Sequence, residues 1–176
     1  MSFTLLKENE TTQKIIDLLE AKQSPFKLIE HEKCRTSEES ARARVDGGGT
    51  LVVGAKALLI KATYKDGSSD FILCVLSGHQ KICSKSLKTE LNIKKFRFST
   101  SEEMLEVTDG LEPGTVPPFG SPILPKINHV FVDESLLEHD SVGFNAACFT
   151  RSIILATSDY LKAANPEKVF DFSTEK

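Results

Sequence analysis

Along this chain the spacing of apolar positions switches repeatedly between a period near 3.6 and a period of 2, the signatures of helix and strand. In "TTQKIIDLLEAK" Ile15 recurs with Leu18 and Leu19 at helical spacing, and Ser24-Pro25 ends the pattern. "FKLIEH" then alternates as a strand. Thr36 followed three residues later by Glu39 has the form of a capping box, opening a short helix "SEESARAR" that runs up to a flexible turn at Gly47-Gly48-Gly49. "AKALLIKA" and "DFILCVL" read as a strand pair joined at Asp66-Gly67-Ser68. Their apolar runs are too continuous for a sheet with one wet face, so both are expected to be central strands. A lysine-rich helix, a strand "KFRF", a capped helix "STSEEMLEV", two further strands "NHVFVD" and "RSIILA" and a final helix "TSDYLKAA" complete the pattern. Together these elements predict an α+β fold in which helices surround a mixed sheet, with residues 1–176 forming a single domain without a linker.

At 176 residues, with 40% hydrophobic and 27% charged positions, the chain can bury a substantial core and is neither fibrous nor disordered. The opening "MSFTLLKENE" has no basic stretch leading into an apolar one, and no run approaches the ~20 apolar residues of a membrane helix. A soluble, cytoplasmic protein without a membrane partner is expected. Cys34, Cys74, Cys83 and Cys148 stand far apart without C-x-x-C spacing, which predicts reduced thiols rather than a zinc site or a disulfide framework. The net charge of −3 conceals one strongly basic stretch: within residues 78–98, six cations (Lys81, Lys85, Lys88, Lys94, Lys95 and Arg97) stand against Glu90 alone. Lys81, Lys85 and Lys88 recur at i, i+4 and i+7, one face of a helix. Such a face is either simply solvated or the partner of a phosphate backbone.

The familiar catalytic signatures are absent from the sequence. There is no G-x-S-x-G nucleophile elbow, no metal-ligand spacing among His31, His79, His129 and His139, and no Gly-Lys-Ser/Thr ending that would make "GGGTLVVGAK" a phosphate loop. What remains is Lys56, inside an apolar strand, and the loop "GLEPGTVPPFG" (residues 110–120), stiffened by prolines and lacking any Ser, His or Cys. Period two puts Lys56 on the face of Leu58 and Ile60. It either snorkels to solvent or enters a pocket as a fixed cation for a phosphate or an ester carbonyl.

These stretches also carry a resemblance. In order, "RTSEESARAR", "GAKALLIKA", "FRFSTSEEMLEVTDGLEPGTVPPFG", "VDESLL" and "VGFNAACFTRSIILATSDYL" resemble successive blocks of the YbaK/prolyl-tRNA-synthetase-associated editing family, across roughly residues 26–164. The resemblance implies a mixed, barrel-like sheet with a pocket for the aminoacylated terminal adenosine of a mischarged tRNA. It further implies a deacylase that hydrolyses the ester to a small amino acid (Ser/Thr or Ala type) with no metal and no organic cofactor. Lys56 maps onto the strand lysine most tied to activity in that family. Gly114 and Thr115 would join it in catalysis, the loop holding an ester carbonyl or a water through fixed backbone dipoles. Val116, Pro117, Pro118, Phe119 and Gly120, with Phe144, Asn145 and Thr150, would bind the substrate, although Asn145 equally suits a turn cap. Lys81, Lys85 and Lys88 would meet acceptor-stem phosphates of the tRNA, and an aminoacyl-tRNA synthetase is a further expected partner.

Two departures refine this expectation. Members specialised for alanyl-tRNA place Asn after the strand lysine and His after the later Phe; here Ala57 and Asn145 stand there, which resembles the YeaK-like subgroup acting on seryl- and threonyl-tRNA. A longer "VDGGGTLVV" replaces the family's short "RG" turn ahead of "GAK" and would reshape the pocket entrance. The alternative reading is a non-catalytic module of the same fold that holds aminoacyl-tRNA or docks on a synthetase.

Overall fold

The structure is a computed structural model and describes residues 3–176, with side chains described from Glu8 onward. Helix α1 (Phe3–Ala21) is followed by strand β1 (Phe26–Glu30), helix α2 (Ser37–Asp46), and the long pair β2 (Val53–Tyr64) and β3 (Ser69–Ser77). Next come β4 (Gln80–Ile82), α3 (Ser84–Glu90), β5 (Ile93–Phe98) and α4 (Ser101–Val107). A long irregular segment then leads to β6 (Val130–Asp133), a 3-10 turn (Glu134–Glu138), β7 (Ser141–Asn145), β8 (Arg151–Ala156), α5 (Thr157–Ala164), β9 (Lys168–Phe170) and β10 (Ser173–Glu175).

The main sheet is mixed, in the order β1-β8-β7-β2-β3-β6-β9, with β5 added to β2 off this path. Pairing is antiparallel at β1/β8, β8/β7, β2/β3 and β2/β5, and parallel at β7/β2, β3/β6 and β6/β9. No ladder joins β1 to β9 among the described residues, so the strand pairing does not close the sheet into a barrel. β2 and β3 are central, as their unbroken apolar runs predict. Val53, Ala55, Leu59, Leu73 and Val75 enter one core, and Ile60, Ala62, Ile72, Cys74 and Leu76 enter another on the opposite face. With both faces covered, neither strand needs a polar alternation.

One expected element takes a different form. Lys81 is not on a helix with Lys85 and Lys88: it lies in β4, opposite Thr174 of β10, and only Lys85 and Lys88 sit on the seven-residue α3. A strand at the far end of the chain captures these residues in a two-stranded ladder, and local periodicity carries no trace of that long-range pairing. Both capping boxes form, Thr36 with Glu39 and Thr100 with Glu103. α1 ends in a Schellman arrangement, in which Ser24 N donates to the Leu19 carbonyl and Gln23 N to the Glu20 carbonyl, both at 2.9 Å. Gln23, at φ 55°, takes the left-handed position that glycine usually fills, so no glycine marks this helix end.

The first core is organised by aromatic rings that also hold the segment after α4. Phe119 packs edge-on against Phe144 and Tyr160, with centroids 5.4 and 5.5 Å apart. Tyr160, fully buried on α5, donates its hydroxyl to the Pro118 carbonyl at 2.7 Å. On the other side, buried Asp133 accepts from Phe172 N (2.7 Å), Ser135 N (2.9 Å) and Ser173 Oγ (2.7 Å), which pins the chain entering β10. Tyr160→Phe leaves the Pro118 carbonyl without a donor in a dry core, and urea unfolding is expected to show a loss of about 1–3 kcal/mol. An unchanged midpoint would mean that this hydroxyl does not anchor the loop.

Candidate functional site

β2 changes partners along one edge. It pairs with β7 only at Val53 and Gly54, opposite Val142 and Gly143, and with β5 only from Ile60 onward. Residues 55–59 therefore have β3 on one side and no strand on the other. Two hydrogen bonds fix the orientation of the backbone there: Gly78 N donates to the Gly54 carbonyl on the β3 side (2.8 Å), and Ser99 N to the Leu59 carbonyl on the opposite side (3.0 Å). Alternation along the strand then directs the N–H and C=O of Ala55 and Ala57 away from β3, into the gap.

A cavity of about 340 Å³ occupies this gap. One wall is a face of α2, where Ser37, Ser40 and Arg44 recur at i, i+3 and i+7. The rest of the lining includes Phe98 and Ser99 at the end of β5, Met104 of α4, Pro113, Gly114 and Val116 of the proline-glycine loop, and Asn145 and Phe149 around the end of β7.

Lys56 borders this cavity and does not run out to solvent. It is half-buried, and its ammonium donates to the Gln80 carbonyl. Loss of hydration, reinforced by the neighbouring Lys176, lowers its pKa to about 8, which leaves it mainly cationic at neutral pH. Because Gln80 opens β4, the ammonium is tied to the basic stretch: exposed Lys81 is the next residue, and Lys85 and Lys88 follow on α3.

Gly114 has φ +89°, and a Cβ there would stand 3.1 Å from Phe149 Cε1, so both the backbone and the space favour glycine. Its carbonyl accepts from Asn145 Nδ2 at 2.9 Å. Asn145 Oδ1 accepts in turn from the Ser152 hydroxyl (3.4 Å), which meets His31 Nε2 at 2.8 Å while His31 Nδ1 donates to the Glu32 carbonyl at 2.8 Å. Asn145 is thus a strut between sheet and loop. The remaining residues named from sequence lie behind the cavity wall. Thr115 is buried, with its hydroxyl donating to the Glu112 carbonyl at 2.7 Å. Pro117, Pro118, Phe119, Gly120 and Phe144 are packed in the interior, and Thr150 is exposed, its carbonyl accepting from His31 N at 2.9 Å.

Lys56, Gly114, Val116 and Asn145 therefore border the cavity, whereas Thr115, Pro117, Pro118, Phe119, Gly120, Phe144 and Thr150 do not. The physical reason is that the loop turns inward at Thr115, so its prolines and Phe119 pack on the core and support the exposed glycine. Arg44, Ser40, Phe98 and the Ser152–His31 pair escape the sequence reading. The helical spacing of Ser37, Ser40 and Arg44 is visible in the sequence, but the glycines that bring this face against the sheet lie on distant strands. No Asp, Glu or His borders the cavity, and no group of three or more His, Cys, Asp or Glu suited to a metal ion occurs among the described residues. None of the described helices is long and apolar enough to cross a membrane.

Residues 31–163 match the family described as the aminoacyl-tRNA editing domain. The Multifunctional Ser/Thr-tRNA deacylase ProXp-y of Escherichia coli (strain K12) is 32% identical over 166 residues, covering 94% of this chain and 95% of that protein. The crystal structure of a proposed trans-editing enzyme for prolyl-tRNA synthetase superimposes with a TM-score of 0.69 at 19% identity, over 93% of this chain and 97% of that one. The hypothetical protein APE2540 does so with 0.71 at 22% identity, over 92% and 99%. At such identities the two structures speak for a shared fold. The family match encloses every element around the gap in β2, from α2 through β8, and together with the 32% identity over nearly the whole chain it establishes that this protein belongs to the aminoacyl-tRNA editing domain family.

Proposed function

We propose that this protein is a trans-acting aminoacyl-tRNA deacylase of the cytoplasm. It hydrolyses the ester between a small, wrongly attached amino acid, serine or threonine, and the 3′-terminal ribose of a tRNA. The observation that carries this reading is that one cavity is bordered by Lys56, the free backbone edge at Ala57 and the Gly114 turn held by Asn145. Its volume of about 340 Å³ lies at the low end of ligand pockets (roughly 300–1,000 Å³), which suits an aminoacyl ribose with a short side chain. The 32% identity to a protein named as a Ser/Thr-tRNA deacylase supports the same substrate class.

In the reaction a water oxygen attacks the ester carbonyl carbon and the bond from that carbon to the ribose oxygen breaks. The amino acid leaves as its carboxylate and the ribose recovers a hydroxyl. Charge that develops on the carbonyl oxygen is met by Lys56 and by backbone N–H groups of the gap, which are already in place before reaction. With no carboxylate or imidazole on the cavity wall, water is oriented by backbone carbonyls, and its proton passes by way of the adjacent ribose hydroxyl to the leaving oxygen. Phe98, 58% exposed on the rim, offers a stacking surface for an unpaired base near the 3′ end. Lys81, Lys85 and Lys88, continuous with Gln80, receive acceptor-stem phosphates.

Three outcomes are expected. In a panel of correctly and wrongly charged tRNAs, the protein releases serine or threonine from mischarged species, and Lys56→Met folds normally but loses about a hundredfold or more in rate. Binding without release across the whole panel would instead support the non-catalytic module. Gly114→Val, forced into positive φ against Phe149, lowers the single-turnover rate by about a hundredfold while the protein stays folded. Thr115→Ala, which removes a hydroxyl that points away from the cavity, is much milder in rate, and the reverse order would assign the chemistry to the threonine. Lys85→Glu with Lys88→Glu weakens tRNA binding and flattens its dependence on salt; an unchanged salt series would place the tRNA elsewhere.

A further inference from the structure

Arg44 is the most deeply buried cation bordering the cavity, with 3% of its surface exposed. Its Nε and Nη1 donate to no acceptor among the described residues. The guanidinium lies across two paired glycines, Gly54 of β2 and Gly143 of β7. A Cβ on Gly143 would stand 3.0 Å from Arg44 Cδ and 3.1 Å from Nε, and one on Gly54 would stand 3.6 Å from Nη1. The approach is tight at Gly143, where a side chain would crowd Arg44, and at Gly54 it leaves ordinary van der Waals room. Gly78 plays the same part toward the other end of α2, since a Cβ on it would come within 3.2 Å of Ser37 Oγ. Gly143 and Gly78 thus allow the close approach of the α2 face of Ser37, Ser40 and Arg44 to the cavity.

Glu38 and Glu39 stand in the first turn of α2, and Glu38 favours the Lys56 ammonium, but the charged residues on the cavity lining itself are all cations. Arg35, Arg44 and Lys56 border the cavity, and no carboxylate does. Cys34, the titratable neighbour acting on Arg44, is a buried thiol pushed up in pKa and therefore neutral, and desolvation lowers Arg44 itself to about 10. A buried cation without a counter-ion or hydrogen-bond acceptor is costly in the empty protein, and the cost is offset when an anionic oxygen arrives. The N-terminus of the ten-residue α2, with Ser37 in its first turn, adds a favourable dipole at the same wall.

We propose that Arg44, with the Ser37–Ser40 face of α2, forms a phosphate-binding site inside the cavity. Resting on the deacylase reading for the identity of its ligand, this site holds the phosphate that links the terminal adenosine to the rest of the tRNA. The aminoacyl group carries a cationic amine, which Arg44 repels; it is directed to the neutral lining at Asn145, Val116 and Gly114, and Lys56 is left to the ester carbonyl. The phosphate site and the neutral lining thereby set the direction in which the aminoacylated nucleotide enters.

The test compares adenosine 5′-monophosphate, adenosine and inorganic phosphate as ligands, measured by calorimetry at low salt on the intact protein and on Arg44→Met. The protein is expected to bind the monophosphate at least tenfold more tightly than adenosine, and Arg44→Met to abolish that preference while leaving adenosine binding unchanged. Binding of inorganic phosphate that is lost in the same variant locates the preference at the phosphate group. Because the methionine removes an unpartnered buried charge, its melting temperature is expected to equal or exceed that of the parent. Equal affinities for the monophosphate and adenosine in the parent protein, a preference that survives Arg44→Met, or a marked fall in melting temperature would overturn the proposal. In the unmodified protein, the Arg44 Nε–H resonance should shift with the monophosphate and not with adenosine, and its failure to do so would overturn the proposal without reliance on any variant. None of these ligands carries an ester, so an intact phosphate preference in a protein that releases no amino acid would count against the deacylase reading and leave this site standing.

Discussion

One edge of β2 cannot be satisfied by strands alone. β7 leaves it after Gly54 and β5 joins it at Ile60, and the backbone between them still carries donors and acceptors that face the gap. An unanswered buried peptide group costs about 1–3 kcal/mol, so the gap must remain open to water or to a ligand. The cavity is the consequence. Everything that borders it is arranged around this break: α2 lies over the Gly54–Gly143 pair, the proline-glycine loop closes the side by β7, and Lys56 reaches in from the strand itself.

On the proposed function the cavity works through fixed charges and dipoles, since no Asp, Glu or His borders it. Such a site works only if its groups do not move when charge develops. The structure meets that demand from beneath. Phe119, Phe144 and Tyr160 pack against one another, Tyr160 takes the Pro118 carbonyl, and Asn145 takes the Gly114 carbonyl through a chain that reaches Ser152 and His31. Most of the loop residues are therefore ballast for one exposed glycine. This accounts for a loop rich in proline yet empty of nucleophiles.

Much of the fold was legible in the sequence because its signals are local. The capping boxes at Thr36 and Thr100, the two-sided burial of β2 and β3, and the helix from Thr157 all follow from periodicity and end chemistry. The elements that escaped depend on distant partners: β4 exists because β10 pairs with it, which takes Lys81 off the helix, and β7 is a short strand with a glycine at its middle. The site divides in the same way. Lys56 and Gly114 stand out because each is anomalous in its own segment, a cation in an apolar strand and a glycine among prolines. Thr115, Pro117, Pro118 and Phe119 carry the same local signal but face the core, a difference that only the turn of the backbone decides. Arg44 looks like an ordinary helix cation until Gly54 and Gly143 are seen beneath it.

In the proposed site, the break in β2 holds partly desolvated cations that an anion would satisfy. An NMR titration of the Lys56 side chain, followed through its Cε and Hε shifts with and without adenosine 5′-monophosphate, measures this most directly. The account predicts a midpoint near 8 in the free protein, where burial and Lys176 disfavour the ammonium, and a rise in that midpoint when the phosphate binds. A midpoint at the ordinary lysine value of about 10.4, unmoved by the nucleotide, would contradict it.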